Sequence, residues 1–81
     1  MKRFFVFQYI KNGDGFSDAF DNLNEASDYG QMMWNHLTDS EKKRQYICVA
    51  EMEADPEYPD IPSEECGGFN PIREWSDGYK Y

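Results

Sequence analysis

The sequence predicts an α+β fold: a small ββαβ-type sheet, antiparallel or mixed, with one main helix on one face and an irregular acidic C-terminal arm. Three observations indicate this fold. Segments 3–11 and 45–53 are rich in aromatic and β-branched residues, residues 23–37 carry apolar side chains at helical spacing, and all four prolines fall in the last third of the chain. We therefore expect one domain, with a core at 1–53 and an arm at 54–81.

The predicted first strand, at 3–11, carries apolar residues on both faces, so both faces should be covered. The run from Asn12 to Gly15 is a turn signal, because Asn and Gly tolerate the positive φ that hairpin turns need. A short second strand from Phe16 to Phe20 would then pair back onto the first.

Residues 23–37 are predicted to form the main helix. Asn22 is suited to cap its first turn, and Glu25 stands three residues later, as in a capping box. The helix has an apolar stripe at helical spacing, made of Leu23, Ala26, Gly30, Met33 and Leu37. Glycine inside a helix costs about 1 kcal/mol relative to alanine. A close approach of the helix backbone to the sheet would explain Gly30.

A second capping pattern, from Thr38 to Glu41, predicts one more helical turn, closed by the basic run 42–44 at the favourable end of the helix dipole. Residues 45–53 then form the last predicted strand. Glu51 and Glu53 share one face of it, which indicates that this end of the strand is solvated on that side.

The segment from residue 54 onward contains every proline, so long helices are not expected there. It is also rich in large apolar side chains, which a purely solvated tail rarely carries. These are Tyr58, Ile61, Phe69, Ile72, Trp75, Tyr79 and Tyr81. We expect the arm to fold back over the second face of the sheet or to dock on a partner.

Charge is distributed unevenly along the chain. Residues 1–45 contain six Lys/Arg and seven Asp/Glu, a net charge of −1, whereas residues 46–81 contain two and nine, a net charge of −7. The sum is the net charge of −8 for all 81 residues. A dense acidic segment is a property of surface and partner rather than of fold.

Composition indicates a cytoplasmic protein with no membrane partner. The apolar run 4–7 is interrupted at Gln8 and is far shorter than the roughly 20 residues that span a bilayer. Of the two cysteines, Cys48 lies in a strand pattern and Cys66 precedes two glycines. The sequence allows a Cys48–Cys66 disulfide but does not indicate one, because cytosolic thiols stay reduced.

Candidate catalytic residues are few. His36 is the sole histidine, and its position favours a cap at the end of the helix over a general base. A Cys–His nucleophilic pair would need Cys66 to meet His36 in space, because Cys48 is expected to be buried. We therefore expect a protein that is not an enzyme and uses no cofactor.

Metal and nucleic-acid sites are not indicated either. One His and two scattered Cys do not make a zinc site. The loop that begins at Asn12 lacks the glycine at the sixth position and the closing bidentate Glu of a calcium loop. The basic run 42–44 is too small a footprint for nucleic acid against the overall acidic charge. Direct nucleic-acid binding is therefore not expected.

The segment Trp34-Asn35-His36-Leu37-Thr38, followed by Glu41-Lys42, resembles a Trp-x-His-Leu-Thr-x-x-Glu-Lys pattern. The pattern is found in small uncharacterised proteins of phages and mobile elements from Gram-positive gut bacteria. The similarity covers roughly residues 3–53, and the arm departs from it because members of that group tend to end sooner. The resemblance implies a mobile-element context and no particular activity.

The leading hypothesis is an acidic binding protein, of phage or mobile-element origin, that occludes a basic site on a host protein. A DNA-mimic inhibitor of a nucleic-acid-binding or defence protein, such as a nuclease, is one form of this idea. The arm could equally serve solubility alone, or dock onto any basic protein through charge. The predicted partner-binding residues are Glu51, Glu53, Asp55, Glu57, Asp60, Glu64, Glu65 and Trp75.

The alternative is a self-associating structural or accessory protein. Its basis is the first strand, which is apolar on both faces in a chain with little else to cover the second face. A homodimer would bury that face.

Overall fold

The computed structural model describes residues 2–13, 15–63 and 71–79, and its centre is a four-stranded antiparallel sheet in the order β2-β1-β3-β4. The strands are β1 (Lys2–Ile10), β2 (Phe16–Phe20), β3 (Gln45–Glu53) and β4 (Pro71–Ser76). The main helix, α1 (Leu23–Asn35), packs on one face of the sheet, and a single turn, α2 (Asp39–Lys42), precedes β3. The predicted α+β class is confirmed.

Local signals explain where the elements begin and end. Asn12 adopts a φ of 61° at the β1–β2 turn, as the turn signal predicted. The Asn22 side chain accepts a 2.8 Å hydrogen bond from the backbone of Glu25 at the start of α1. At α2 the capping box is complete, because Thr38 and Glu41 bond to each other's backbone nitrogens at 3.2 and 2.9 Å.

The helix face of the sheet, which α1 covers, holds one of two hydrophobic clusters. Val6, Ile47, Val49 and Trp75 from the sheet are buried there against Ala26 of the helix. Partly buried apolar residues surround this cluster: Phe4, Phe20, Leu23, Tyr29, Met33, Trp34 and Leu37. Most of the predicted helix stripe therefore lies where its spacing placed it.

The far face, on the opposite side of the sheet, holds the second cluster. Phe5, Phe7, Tyr46 and Cys48 are all buried, and Tyr9 packs beside them with ring centroids 6.2 Å from both Phe7 and Tyr46. The chain after β3 also reaches this cluster, through Ala54, Tyr79 and Pro62. Both faces of β1 are thus covered within one chain.

Strand β4 corrects the expectation that the whole 54–81 segment is irregular. Pro71 did not prevent a strand because it occupies the first position of an edge strand, where a missing donor is tolerated. The register shift between Val49 and Ala50 leaves one extra residue on β4, and Ile72 there is half exposed.

Candidate functional site

A closed loop, formed by residues 54–62, follows β3 and is held by backbone hydrogen bonds. Ala54 and Pro62 form an isolated β-bridge, and Ser63 donates to the carbonyl of Glu53 at 2.8 Å. Within the loop, the backbone nitrogen of Asp55 donates to Ile61 at 2.8 Å, and that of Ile61 donates to Tyr58 at 2.9 Å. We call this segment the 54–62 loop.

Asp55 has a structural role in the 54–62 loop. Its Oδ1 accepts hydrogen bonds from the backbone nitrogens of Glu57 at 2.8 Å and Tyr58 at 3.2 Å. This is the turn that Asp forms by bonding to the backbone two and three residues ahead. One predicted partner-binding carboxylate is therefore partly occupied in shaping the loop that also carries Glu57 and Asp60.

Arg3 of β1 fixes the 54–62 loop to the sheet. Its Nη1 donates to the carbonyl of Pro59 at 2.8 Å and to Asp60 at 2.9 Å, while Nε and Nη2 reach Asp21 at 3.2 and 3.1 Å. The Arg3 side chain is 14% exposed, whereas the carboxylates of Asp21 and Asp60 are 83% and 88% exposed. The partly buried cation thus holds two acids, from distant parts of the chain, at one end of the sheet.

Two large apolar side chains stand out from the 54–62 loop. Tyr58 is 62% exposed and Ile61 is 52% exposed, and the acids that directly precede them, Glu57 and Asp60, are exposed as well. Apolar and aromatic groups ringed by charge are typical of the energetic centre and polar rim of a protein interface.

The remaining predicted acids divide into three groups. Glu51 is exposed on β3, opposite Phe4, and Glu53 is half-buried opposite Lys2. Glu57 and Asp60 lie on the 54–62 loop at the same end of the sheet. Glu64 and Glu65 lie outside the described residues.

Trp75 occupies the core and not the predicted binding surface. It is 7% exposed, its ring lies against Gly30 of α1, and its indole nitrogen donates to Gln31 at 3.0 Å. The guanidinium of Arg73 lies 4.8 Å from the ring centroid. Among the described residues of the arm, the exposed large apolar side chains are Tyr58 and Ile61 on the 54–62 loop and Ile72 on β4.

The far face of the sheet is covered within one chain. Phe5 and Cys48 are fully buried and Phe7 is 9% exposed within one chain. A second copy is therefore not needed to cover these residues.

The residues considered for catalysis do not form a site within the described part of the chain. The His36 ring Nδ1 lies 2.7 Å from the Met32 carbonyl, which is the predicted capping role. Burial raises the pKa of the Cys48 thiol to about 11, so little thiolate forms at neutral pH. Cys66 lies outside the described residues. Among those described, no group of three or more His, Cys, Asp or Glu is placed to hold a metal ion.

Comparison with protein families, with curated proteins and with solved structures found no match to this chain. In the described ranges, neither helix has the length and apolar character that a membrane crossing requires.

Proposed function

We propose that this chain is a non-enzymatic acidic binding protein that occludes a basic, nucleic-acid-binding surface of a host protein. The resemblance of the segment 34–42 to mobile-element proteins suggests its origin in a phage or mobile element. A nuclease of a defence system is the class of partner that such a mimic would inhibit. The observation that carries the proposal is the 54–62 loop, which presents Tyr58 and Ile61 beside the exposed acids Glu57 and Asp60.

The 54–62 loop is already fixed in the unbound protein, which favours binding. A segment that is already fixed loses less conformational entropy on binding than a flexible one. Backbone bonds at Asp55 and Ile61, together with Arg3, fix the loop before any partner arrives. Tyr58 then offers a rigid amphipathic group, the kind that dominates interface energetics.

Charge supports the choice of a basic partner. The net charge of −8 on 81 residues steers a basic protein toward the chain, and the exposed acids Glu51, Glu57 and Asp60 lie at one end of the sheet. Electrostatic attraction of this kind raises association rates and weakens with salt.

The experiment is a capture of partners from lysate of a Gram-positive host with the tagged full chain, washed at rising salt. We expect one dominant nucleic-acid-binding protein that is released as salt rises and is displaced by a short DNA duplex. Recovery of only the chain's own untagged copies, insensitive to salt, would overturn the proposal and favour the self-associating accessory protein.

Matched variants locate the surface. Glu51→Lys with Glu57→Lys changes the net charge by the same amount as Asp28→Lys with Asp77→Lys, and all four residues are exposed. Only the first pair, at the loop end of the sheet, should abolish capture. Likewise, Tyr58→Ala should weaken capture, whereas Ile72→Ala on β4 should not. Equal effects of both charge pairs would indicate nonspecific attraction and refute an interface at the loop.

A further inference from the structure

A groove lies between α1 and the β1–β2 hairpin, on the opposite flank of the helix from β4. It has a volume of about 290 Å³ and is open to solvent. Its lining combines apolar and polar groups: Val6, Gln8, Phe16, Asp18, Tyr29 and Met33. Pockets for drug-sized ligands occupy roughly 300–1,000 Å³, so this groove has room for a single side chain.

The apolar part of the groove extends to the surface at Phe16. This residue is 56% exposed, the second most exposed of the large apolar side chains in the described residues. It is on the edge strand β2, directly opposite Gln8 of β1. An aromatic ring in this position is accessible to a visiting group.

The polar part of the groove consists of acceptors. Asp18 is exposed on β2, and Tyr29 stands beside it: burial, the hydrogen bond to Asp18 and the charge of that carboxylate all raise the tyrosine pKa. The Gln8 amide nitrogen donates to Gln45 at 2.7 Å, which leaves its carbonyl oxygen to accept. A carboxylate has acceptor sites for more than one donor, so Asp18 can bind a cation while it accepts a hydrogen bond from Tyr29.

The stretch of the sequence that forms β2 and α1 carries no positive charge. Between Lys11 and Lys42 the chain has seven Asp/Glu and no Lys or Arg. Because β2 and α1 come wholly from this stretch, Asp18 has no cationic neighbour from its own strand or from the helix packed against it. On β1, Lys2 and Arg3 are at the other end of the strand, and Arg3 is bound to Asp21 and Asp60.

On the opposite flank of α1, an aromatic ring and a glutamine oxygen already bind an arginine side chain. There Arg73 lies over the ring of Trp75, 4.8 Å from its centroid, and donates to the Gln31 side-chain oxygen at 3.0 Å. The groove repeats the aromatic ring and the glutamine oxygen with Phe16 and Gln8, and adds a carboxylate.

We propose that the groove between β2 and α1 binds the side chain of an arginine presented by a peptide segment of a partner protein. The guanidinium stacks on Phe16 and donates to Asp18, and the aliphatic stem packs on Tyr29 and Met33. Arginine suits the site better than lysine because its planar, weakly hydrated head both stacks on aromatic rings and bonds to carboxylates in a forked geometry. The site is separate from the 54–62 loop, so its test does not depend on the proposed function.

The test is an NMR titration of the full chain with the tripeptide acetyl-Gly-Arg-Gly-amide. We expect saturable shifts of the Met33 methyl, the Gln8 side-chain amide and the Asp18 backbone amide. The same peptide with citrulline, which is nearly isosteric and uncharged, should bind weakly, and the lysine peptide should bind less tightly than the arginine peptide.

Variants separate the groove from general attraction. Asp18→Asn should lower the affinity about fivefold, the size expected for a partly exposed charge-assisted hydrogen bond. Asp28→Asn removes the same charge from an exposed position of α1 and should leave the affinity nearly unchanged. Phe16→Ala should reduce the preference for arginine over lysine.

Three results would overturn the proposal. The first is equal weakening by Asp18→Asn and Asp28→Asn, and the second is shifts that map to the 54–62 loop and not to the groove. The third is a shift pattern that depends on protein concentration and not on peptide, which would assign the β2 edge to a second copy of the chain.

Discussion

Gly30 of α1 and Trp75 of β4 are in direct contact, with no room for a side chain between them. A β-carbon built on Gly30 would lie 2.6 Å from both Cη2 and Cζ3 of the Trp75 ring. Since the indole is held in place by Gln31 and by Arg73, the ring has little freedom to move aside. The contact fixes the distance between the helix and the edge strand.

Gly30→Ala should therefore destabilise the protein, although alanine favours a helix by about 1 kcal/mol. We expect a net loss of about 1–3 kcal/mol in the free energy of unfolding, because overpacking forces the ring or the helix to shift. Urea unfolding followed by circular dichroism measures it. Asn24→Ala, at an exposed position of the same helix, is the control and should be nearly neutral. A stability of Gly30→Ala equal to or above that of the parent would contradict the contact.

Gln31 is the acceptor that satisfies the buried indole. Its Oε1 accepts hydrogen bonds from Trp75 Nε1 and Arg73 Nη2, both at 3.0 Å. Gln31→Leu should cost about 1–3 kcal/mol, because it leaves a mostly buried donor without a partner. Gln31→Glu keeps an oxygen at this position and should retain most of the stability. Urea unfolding monitored by tryptophan fluorescence distinguishes the two variants, and equal losses would show that the hydrogen bond contributes little.

Stability should fall at alkaline pH because of buried groups on the far face. The hydroxyl of Tyr46 bonds to Glu74, and burial together with this carboxylate raises the tyrosine pKa well above its usual range. Burial also raises the pKa of Cys48 from its ordinary 9.0 to about 11. Both groups are favoured in the protonated form by the fold. Their contribution is complete below the unfolded-state values and is lost as pH rises through the folded-state values.

We therefore expect the free energy of unfolding to decline between about pH 9 and pH 11, and less steeply in Cys48→Ala than in the parent. Urea unfolding at several pH values gives the slope of the unfolding free energy against pH. The smaller side chain lowers this free energy equally at every pH, so a difference in slope reports the Cys48 thiol alone. A Cys66→Ser background removes the other thiol. Parallel pH profiles for the two proteins would contradict the burial of Cys48.

Arg3→Gln should loosen the 54–62 loop more than it destabilises the whole protein. The change removes the bonds to Pro59 and Asp60, and exposed ion pairs contribute only about 0–1 kcal/mol to global stability. Amide hydrogen exchange should accelerate at Asp55 and Ile61 and remain slow in β1. Asp21→Asn is the matched control, because it weakens one Arg3 contact and keeps both bonds to the loop. Unchanged exchange in Arg3→Gln would show that the backbone bonds alone order the loop.

The elements with strong local signals were predictable from the sequence. The bounds of β2 and β3 match the prediction, and α1 begins at Leu23 as the Asn22 cap indicated. The helix ends at Asn35, two residues before the predicted end, since His36 already closes it through the Met32 carbonyl. Gly30 was expected at a close approach to the sheet, and the sequence could not specify which side chain it meets.

The arm was less predictable because its structure depends on contacts distant in the chain. Strand β4 begins at a proline and contains a bulge, both of which weaken a period-two pattern. The sequence predicts Trp75 among the partner-binding residues of the acidic arm, yet its burial follows from Gly30 and Gln31, more than forty residues earlier. The exposure of Tyr58 and Ile61 depends on the 54–62 loop, which is fixed by Arg3, 56 residues before Pro59.

The position of β1 in the middle of the sheet has a consequence for how the chain reaches this structure. Its pairing with β2 crosses a short turn, whereas its pairing with β3 runs from Ile10 opposite Gln45 to Lys2 opposite Glu53. Local pairings close at less entropic cost, so we expect the hairpin to form while the β3 side of β1 is still bare. An unpaired edge on so apolar a strand is a template for pairing between chains. The time of greatest risk of aggregation is thus during folding, before β3 covers β1.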